Sequence, residues 1–392
     1  MFRYVNIPRN PGILSNLPDT TEPAVLDARH AVPEVRVAEW PTLLVAAAIY
    51  AGFAALTWFY HELPLWVILP AGAYVVAWHG SLQHETVHGH PTRWRGINEL
   101  LVFPSLWLWL PYRVYRDSHI THHRDQSLTD PIEDPESYYK TAEQWRQCGR
   151  GMRCIMWIHN TVTGRLLFGP SLAMWNLWRG ELTKLLRGER GAIAAWALHV
   201  PACAVVLVWT VVICDIPLVE FILLFAYPGT ALTLLRSFAE HRATADPEQR
   251  SVVVEAAWPM ALLYLNNNLH ALHHREPGRP WYALPARFRD RRHAILRANG
   301  GYRFRGYAEI IARYLLWPKE AVVHSESRRE EFFPPRAVVD IGDHWPQALQ
   351  PLQDAIYGEP VLIANKHVDL DEGSIADAAD LLRSGAHQPI DR

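Results

Sequence analysis

The chain has 392 residues, a formal net charge of -2, 49% hydrophobic residues and 20% charged residues. The near-neutral charge gives no electrostatic reason to expect nucleic acid as a partner, and the length allows one large domain or two ordinary ones. The four cysteines form no CxxC pair, which argues against an iron–sulfur cluster or a disulfide framework.

The first elements are two long apolar stretches that follow a polar, proline-punctuated N-terminal arm at residues 1–40. Residues 41–60 and 63–82 are almost free of charge, and residues 191–214 and 216–235 form a second such pair. About 20 residues are enough to cross a hydrocarbon core of about 30 Å as a helix. The sequence therefore predicts an all-α integral membrane protein with four transmembrane helices in two hairpins.

The distribution of Lys and Arg predicts the orientation. The short links at residues 61–62 and 214–215 carry neither, whereas residues 113–190 and the chain after 236 are rich in both. Because cytoplasmic loops carry the basic excess, we expect both termini and the middle segment on the cytoplasmic side of the inner (cytoplasmic) membrane. The alternative is a soluble core with two buried hairpins.

The segments between and after the apolar pairs are harder to assign. Residues 97–112 are apolar but short and broken by proline, which favours a re-entrant or interfacial segment. Residues 145–186 are amphipathic, as expected of helices on the bilayer surface or on a cytoplasmic domain. We expect a membrane domain at residues 41–317, and a hydrophilic cytoplasmic extension without recognisable chemistry at residues 318–392.

Nine of the twenty histidines carry the chemical signal of this chain. They occur in one HxxxH cluster, two HxxHH clusters and one separate position. Positions i, i+3 and i+4 share a helix face, so each cluster can direct two or three imidazoles to one point. One ion rarely needs more than six ligands, so nine imidazoles indicate two ions. These histidines are His84, His88, His119, His122, His123, His241, His270, His273 and His274.

The predicted topology is compatible with a shared site, because an even number of crossings separates the clusters and all four groups emerge on the same side. Asn266 lies one helical turn before His270 and could reach a metal directly or through water. Nearby carboxylates could balance the charge of the ions as partners of the imidazole N–H groups. The candidates are Glu85, Asp117, Asp125, Asp130, Glu240 and Asp246.

The spacing of the clusters resembles the three histidine boxes of the membrane fatty acid desaturase superfamily. An additional histidine before the last box, here His241, is also similar, as is the stretch 280–285 (PWYALP) beyond it. The resemblance covers roughly residues 40–290. The first box has the HxxxH form found in acyl-lipid desaturases, alkane hydroxylases and carotenoid ketolases, whereas acyl-CoA desaturases have a longer one.

This resemblance implies a non-haem di-iron centre, held by the nine histidines in a cytoplasmic helical cap, that uses O₂ to remove hydrogen from an unactivated C–H bond. An acyl-lipid desaturase is the leading expectation, with hydroxylation or ketolation of an apolar lipid as the alternative. An external ferredoxin- or rubredoxin-like donor with its reductase is expected, because the chain has no dinucleotide fingerprint and no cysteine set for a cluster. Cationic residues that could attract it are Arg113, Arg116, Arg124, Arg275 and Arg279.

Two other classes of protein remain possible from the sequence. The residues from His84 to His88 also match the HExxH motif of zinc proteases, which would leave seven histidines unused. A metal transporter would need ionisable groups within the spans, where His199 and Glu220 are the candidates.

Overall fold

A computed structural model describes residues 38–123 and 127–325, and these residues are mainly helical. Nearly all of the predicted N-terminal arm, and the predicted extension from residue 326 onward, lie outside the described residues. The helices are α1 (Trp40–Trp58), α2 (Leu65–Val87), α3 (Arg95–Leu101), α4 (Tyr112–His122), α5 (Ala142–Gln147), α6 (Arg150–His159), α7 (Val162–Leu186), α8 (Arg190–Leu207), α9 (Leu218–Phe221), α10 (Tyr227–Glu240), α11 (Trp258–Leu263), α12 (His270–Arg275), α13 (Leu284–Ala298) and α14 (Tyr307–Tyr314).

Among the described residues, four helical stretches are long and apolar enough to cross a membrane, as the sequence predicts for an integral membrane protein. They are Trp40–Trp58, Leu65–Val87, Arg190–Ile213 and Leu218–Glu240. The second and fourth run about one turn beyond the predicted ends at 82 and 235. Hydropathy does not detect these last turns because their polar residues, such as Glu85 and Glu240, are buried against the rest of the protein.

Two π-helical segments occur in these stretches: Val208–Ile213 ends the third, and Ile222–Ala226 interrupts the fourth. The second has a clear local cause, because Pro228 lacks an N–H and its ring displaces the carbonyl of Leu224, four residues earlier. A Cβ at Gly72 would lie 2.9 Å from that carbonyl oxygen. Glycine at this position therefore lets α2 pack closely against the π-helical segment.

Helix α2 lies at the centre of the packing, in contact with α1, α4 and α10, and α7 packs against α10. The segment predicted to be re-entrant or interfacial forms α3 and then irregular backbone, from which the indole of Trp107 donates a hydrogen bond of 3.0 Å to the carbonyl of Val76. Helix α7 exposes a series of large apolar side chains, so either predicted position for it stays open. These side chains are Leu167, Phe168, Trp175, Trp178, Leu182 and Leu186.

The only strands among the described residues are short. β1 (Val253–Val254) and β2 (Arg303–Phe304) pair in parallel, with Val253 opposite Arg303. The pair joins the backbone between α10 and α12 to the segment after α13. It therefore helps to fix α12 beside the end of α10.

Candidate metal centre

The first histidine box lies on the last turn of α2. His84 is in the helix and His88 is its C-terminal cap, so the i, i+4 spacing places both imidazoles on one face. Their ring centroids are 4.8 Å apart. The surrounding turn is buried, although it is rich in polar residues.

The other two boxes lie on α4 and α12, which direct their histidines at each other. In α4 the i, i+4 pair His119 and His123 faces the first box, whereas His122 faces away from it. In α12 the arrangement is the reverse. The middle histidine, His273, faces the first box, and the i, i+4 pair His270 and His274 lies on the other side. Each HxxHH box thus contributes to both sides of the site.

The nine histidines form two groups whose nitrogens converge. The five-histidine group contains His84, His88, His119, His123 and His273, and the four-histidine group contains His122, His241, His270 and His274. Within each group the candidate ligand atoms all lie within 4.8 Å of one another. His241 reaches its group because α10 ends there and the backbone becomes extended.

Several histidines are oriented through Nδ1 by an oxygen acceptor. His122 Nδ1 lies 2.9 Å from Asp134, and His119 Nδ1 lies 3.2 Å from Glu136. His270 Nδ1 lies 2.9 Å from the amide oxygen of Asn267. When Nδ1 donates its proton to such an acceptor, Nε2 is left with a free lone pair for a metal.

The converging nitrogens test whether this site fits metal ions. In the four-histidine group, Nε2 of His241 lies 3.0 Å from Nε2 of both His122 and His270, and His270 and His274 are also 3.0 Å apart. Lone pairs that converge in this way repel one another unless protons or a metal cation lie between them. Neighbouring nitrogens about 2.1 Å from one ion, at right angles, are about 3.0 Å apart, so the spacing fits.

The electrostatics favour neutral imidazoles at most of these positions. Burial and the neighbouring imidazoles lower the pKa of His273 and His274 well below the ordinary value, and neutral imidazole is the form that binds a metal. His122 is an exception. Burial lowers its pKa, but Glu136 and Asp134 outweigh this effect and raise it to about 9, so a metal ion must displace that proton.

Of the six predicted carboxylates, two lie near the histidines, three contact other groups and one lies outside the described residues. Glu240 lies 3.4 Å from His270 Nδ1 and pairs with Arg236. Glu85 accepts a hydrogen bond of 3.1 Å from the backbone N–H of Trp281, in the PWYALP stretch, and lies 3.8 Å from His84. Asp117 contacts Arg116, Asp130 and Asp246 accept backbone N–H groups of their own turns, and Asp125 lies outside the described residues.

Sequence reasoning missed Asp134, Glu136 and Asn267. The first two follow the second box in an acidic, proline-rich segment that offers no periodic signal. Asn266, the predicted ligand, donates its amide N–H to the carbonyl of Trp281, whereas the amide of Asn267 lies 3.2 Å from His84 Nε2. The ligand role of Asn266 stays a prediction, and these contacts favour its neighbour.

In the described part of the chain, four membrane-length helices and two groups of converging histidines define a helical membrane protein of the three-box type with a candidate metal centre. The fatty acid desaturase family matches residues 62–306, a range that contains all nine histidines, and the chain belongs to this family. Among curated proteins, the comparison found no match.

Proposed function

We propose that this protein is an O₂-dependent membrane di-iron oxidoreductase, and that it introduces a double bond into the acyl chain of a lipid. The observation that carries the proposal is the pair of adjoining histidine groups, built from the ends of two apolar spans and from the short helices α4 and α12. Bound iron would supply the oxidation of the C–H bonds with O₂ and two external electrons. The hydroxylation or ketolation of an apolar lipid is the alternative outcome at the same centre.

All nine histidines are proposed as ligands, with one ion in each group. The carboxylates of Asp134, Glu136 and Glu240 would hold imidazole protons and balance the positive charge of the ions. The fit to iron rests on the donor set, since neutral imidazoles suit iron among a few transition metals. Membership of the fatty acid desaturase family favours iron among these.

An apolar cavity of about 190 Å³ supports a lipid substrate. It is lined by Trp107, Trp109 and Met174, among others, and Trp107 packs on Gly80, one turn of α2 before His84. Ligand pockets commonly measure about 300–1,000 Å³, so this cavity is too small to hold a whole lipid. We propose that it accommodates part of an acyl chain whose remainder stays in the bilayer.

The proposed arrangement in the membrane follows the positive-inside bias. The four spans form two hairpins in the inner membrane, and the elements that carry the histidines form a cap on the cytoplasmic side, where both termini also lie. The proposed domains remain an N-terminal arm, a membrane domain and a C-terminal extension. Residues 318–325 pack against the membrane domain, so we extend that domain to residue 325.

The rival readings receive less support from the contacts. In a zinc protease the glutamate of HExxH must be free to act as a general base, but Glu85 is occupied by the N–H of Trp281. The ionisable groups that a transporter would use are engaged locally. His199 lies 3.0 Å from the carbonyl of Leu108, and Glu220 accepts a hydrogen bond from Tyr60.

An external electron donor is part of the proposal, and we expect it to dock on the cationic surface near the metal centre. The described arginines predicted to attract it each lie against a carboxylate: Arg113 against Glu99, Arg116 against Asp117, Arg275 against Glu248 and Arg279 against Glu276. Helix α13 packs on α12 and carries five further arginines, of which Arg287, Arg291 and Arg292 also lie against carboxylates, so we extend the proposed docking surface to this helix and keep the predicted arginines in it. Turnover with a reduced ferredoxin should fall as salt rises, and turnover with NADH alone would remove the need for a donor.

Mass spectrometry of lipids from cells that express the protein tests the reaction. Loss of two hydrogens marks desaturation, gain of one oxygen marks hydroxylation, and gain of one oxygen with loss of two hydrogens marks ketolation. His273→Ala should abolish the product and reduce the bound iron, whereas His159→Ala, a change outside both groups, should leave them unchanged. Full product formation by His273→Ala would refute the di-iron assignment.

A further inference from the structure

Residues 318–325, which we name the C-terminal strap, follow α14 and lie beyond the residues matched by the family. Backbone hydrogen bonds attach the strap to the preceding fold. The N–H of Lys319 donates to the carbonyl of Asn160, and Lys140 exchanges hydrogen bonds with Val322 and His324, each at 2.9 Å. The strap is thus fixed along its length and can hold its side chains in place.

The first of these side chains, Lys319, reaches the backbone of a histidine in the four-histidine group. Its ammonium group donates to the carbonyl of His241, the residue that caps the C-terminal end of α10. Helix ends leave carbonyl groups without partners inside the helix, and a cation is a favourable partner for them. This contact fixes His241 at the point where the chain turns from helix to extended backbone.

The environment of Lys319 retains the positive charge in the protein interior. The side chain is only 4% exposed and lies 2.8 Å from the carboxylate of Glu320. Its ammonium group also lies 5.7 Å from the ring of Tyr138 and 5.6 Å from that of Phe238. Although burial opposes the charge, Glu320 outweighs it and raises the pKa of Lys319 above its usual range.

A buried cation beside a centre for two metal cations is electrostatically unfavourable for metal binding. If Lys319 acted only through its charge, it would weaken the affinity of the four-histidine group. Its hydrogen bond to His241 has the opposite effect, because it orders a ligand in advance. When the charge is removed, the first effect predicts a higher metal affinity and the second predicts a lower one, so the two can be distinguished.

The second side chain of the strap reaches another ligand of the same group. His324 Nε2 lies 3.0 Å from the hydroxyl of Thr129, whose backbone N–H donates to Asp134 at 2.8 Å. The other oxygen of Asp134 lies 2.9 Å from His122 Nδ1. Thr129 has a φ of 68°, a left-handed conformation that is unfavourable for a β-branched residue and needs such support.

We propose that the C-terminal strap positions the four-histidine group, with Lys319 holding His241 and with His324 holding, through Thr129 and Asp134, His122. The proposal rests on the metal centre proposed above. It assigns a role to a segment in which the sequence shows no chemistry. Lys319 and His324 act through other residues and are positioning residues.

The test is a titration of the full-length, metal-stripped protein in detergent with Co²⁺, followed by the visible absorption of the bound ion. Wild type should bind two ions. In Lys319→Met, the affinity for one of the two should fall about tenfold to a hundredfold, the range found when partners of ligands are removed. The matched control is Lys184→Met, which removes a similar ion pair, with Glu181 at 2.7 Å, from α7.

Three further variants separate positioning from a loss of folding. Lys319→Met with Glu320→Gln removes the buried ion pair without leaving a lone charge, and it should show the same loss of affinity. His324→Leu leaves the ion pair intact and should lower the affinity for the same ion. This variant still tests the proposal if the lysine variants do not fold. Lys319→Arg should restore most of the affinity and the wild-type Co²⁺ spectrum.

The outcomes distinguish the two proposals. A wild-type protein that binds fewer than two ions would refute the proposed metal centre. A wild-type protein that binds two, with unchanged affinities and spectra in Lys319→Met and His324→Leu, would refute the role of the strap. Tighter binding by Lys319→Met would show that the lysine acts through its charge.

Discussion

The side chain of Asp134 shows how one carboxylate serves two purposes at this site. One oxygen accepts from His122 Nδ1, and the other accepts from the backbone N–H of Thr129, so the side chain links a ligand to its supporting loop. It is almost fully buried. Because a buried carboxylate with two such contacts has little freedom to move, the direction of His122 is fixed before an ion arrives.

Replacement of Asp134 by Asn should therefore lower the affinity for one of the two proposed ions about tenfold to a hundredfold. An amide is uncharged and balances the cation less well, although its shape is the same. Metal titration monitored by absorption measures this change. Asp130→Asn is the matched control in the same loop, because the carboxylate of Asp130 accepts from the backbone N–H groups of Ile132 and Glu133 and contacts no histidine among the described residues. Equal affinities in both variants would contradict the expected role.

His159 gives a prediction for pH dependence outside the metal site. Burial, and then the nearby Arg165, lower its pKa to about 3 in the folded protein, against about 6.5 in an unfolded chain. The unfolded state therefore takes up the proton first as the pH falls. The stability that the neutral imidazole provides is present above about pH 6.5 and is lost between there and about pH 3.

The variant His159→Gln should lose less stability than wild type on acidification. The difference in the free energy of unfolding between the two proteins should change by at most about 2 kcal/mol between neutral pH and about pH 5. Chemical denaturation in detergent at several pH values, followed by circular dichroism, measures it. Parallel stability curves for the two proteins would show that His159 does not titrate as its burial implies.

At the scale of elements, the close packing of Trp107 on α2 connects the cavity to the site. A Cβ at Gly80 would overlap the ring of Trp107, and the indole also donates to Val76 on the same helix. Trp107 in turn stacks on Trp109, at 5.9 Å between ring centroids. The glycine thus allows an aromatic wall to form within one turn of the first histidine box.

Gly80→Ala should destabilise the protein by about 1–3 kcal/mol, the range for overpacking, and should change the preferred substrate chain length. Gly96→Ala in α3 is the matched control, because a Cβ there meets no atom within 4 Å. The control should be neutral or slightly stabilising, since alanine favours a helix. Thermal unfolding and lipid profiles measure both effects, and identical behaviour of the two variants would contradict the packing argument.

The elements also show what the sequence can and cannot predict. The i, i+3, i+4 spacing indicates which imidazoles share a helix face, and the structure places the nine histidines together. The sequence does not indicate that His122 and His123, which are adjacent, belong to different groups. It also gives no signal for Asp134 or Lys319, because their contacts come from loops whose course has no periodicity.

At the scale of the whole molecule, the part of the chain that the structure describes has four membrane-length helices, an even number, and the orientation can be tested directly. With the four native cysteines replaced, single cysteines at His61 or Asp215 should react with an impermeant reagent in intact cells. Cysteines at Asp130 or Arg279 should react only after the cells are opened, because basic segments remain in the cytoplasm. Labelling at Arg279 in intact cells would reverse the proposed topology.

The histidines of α4 and those of α12 are each divided between the two groups, and this division determines how the site tolerates changes of sequence. A substitution at one histidine removes a ligand from one group only. An inserted residue between His119 and His122 would instead rotate the rest of α4 by about 100°, so that both groups would lose a ligand at once. The two proposed ions thus depend on a common helical phase, and a change of length between the first and second histidine of either HxxHH box cannot alter one ion without the other.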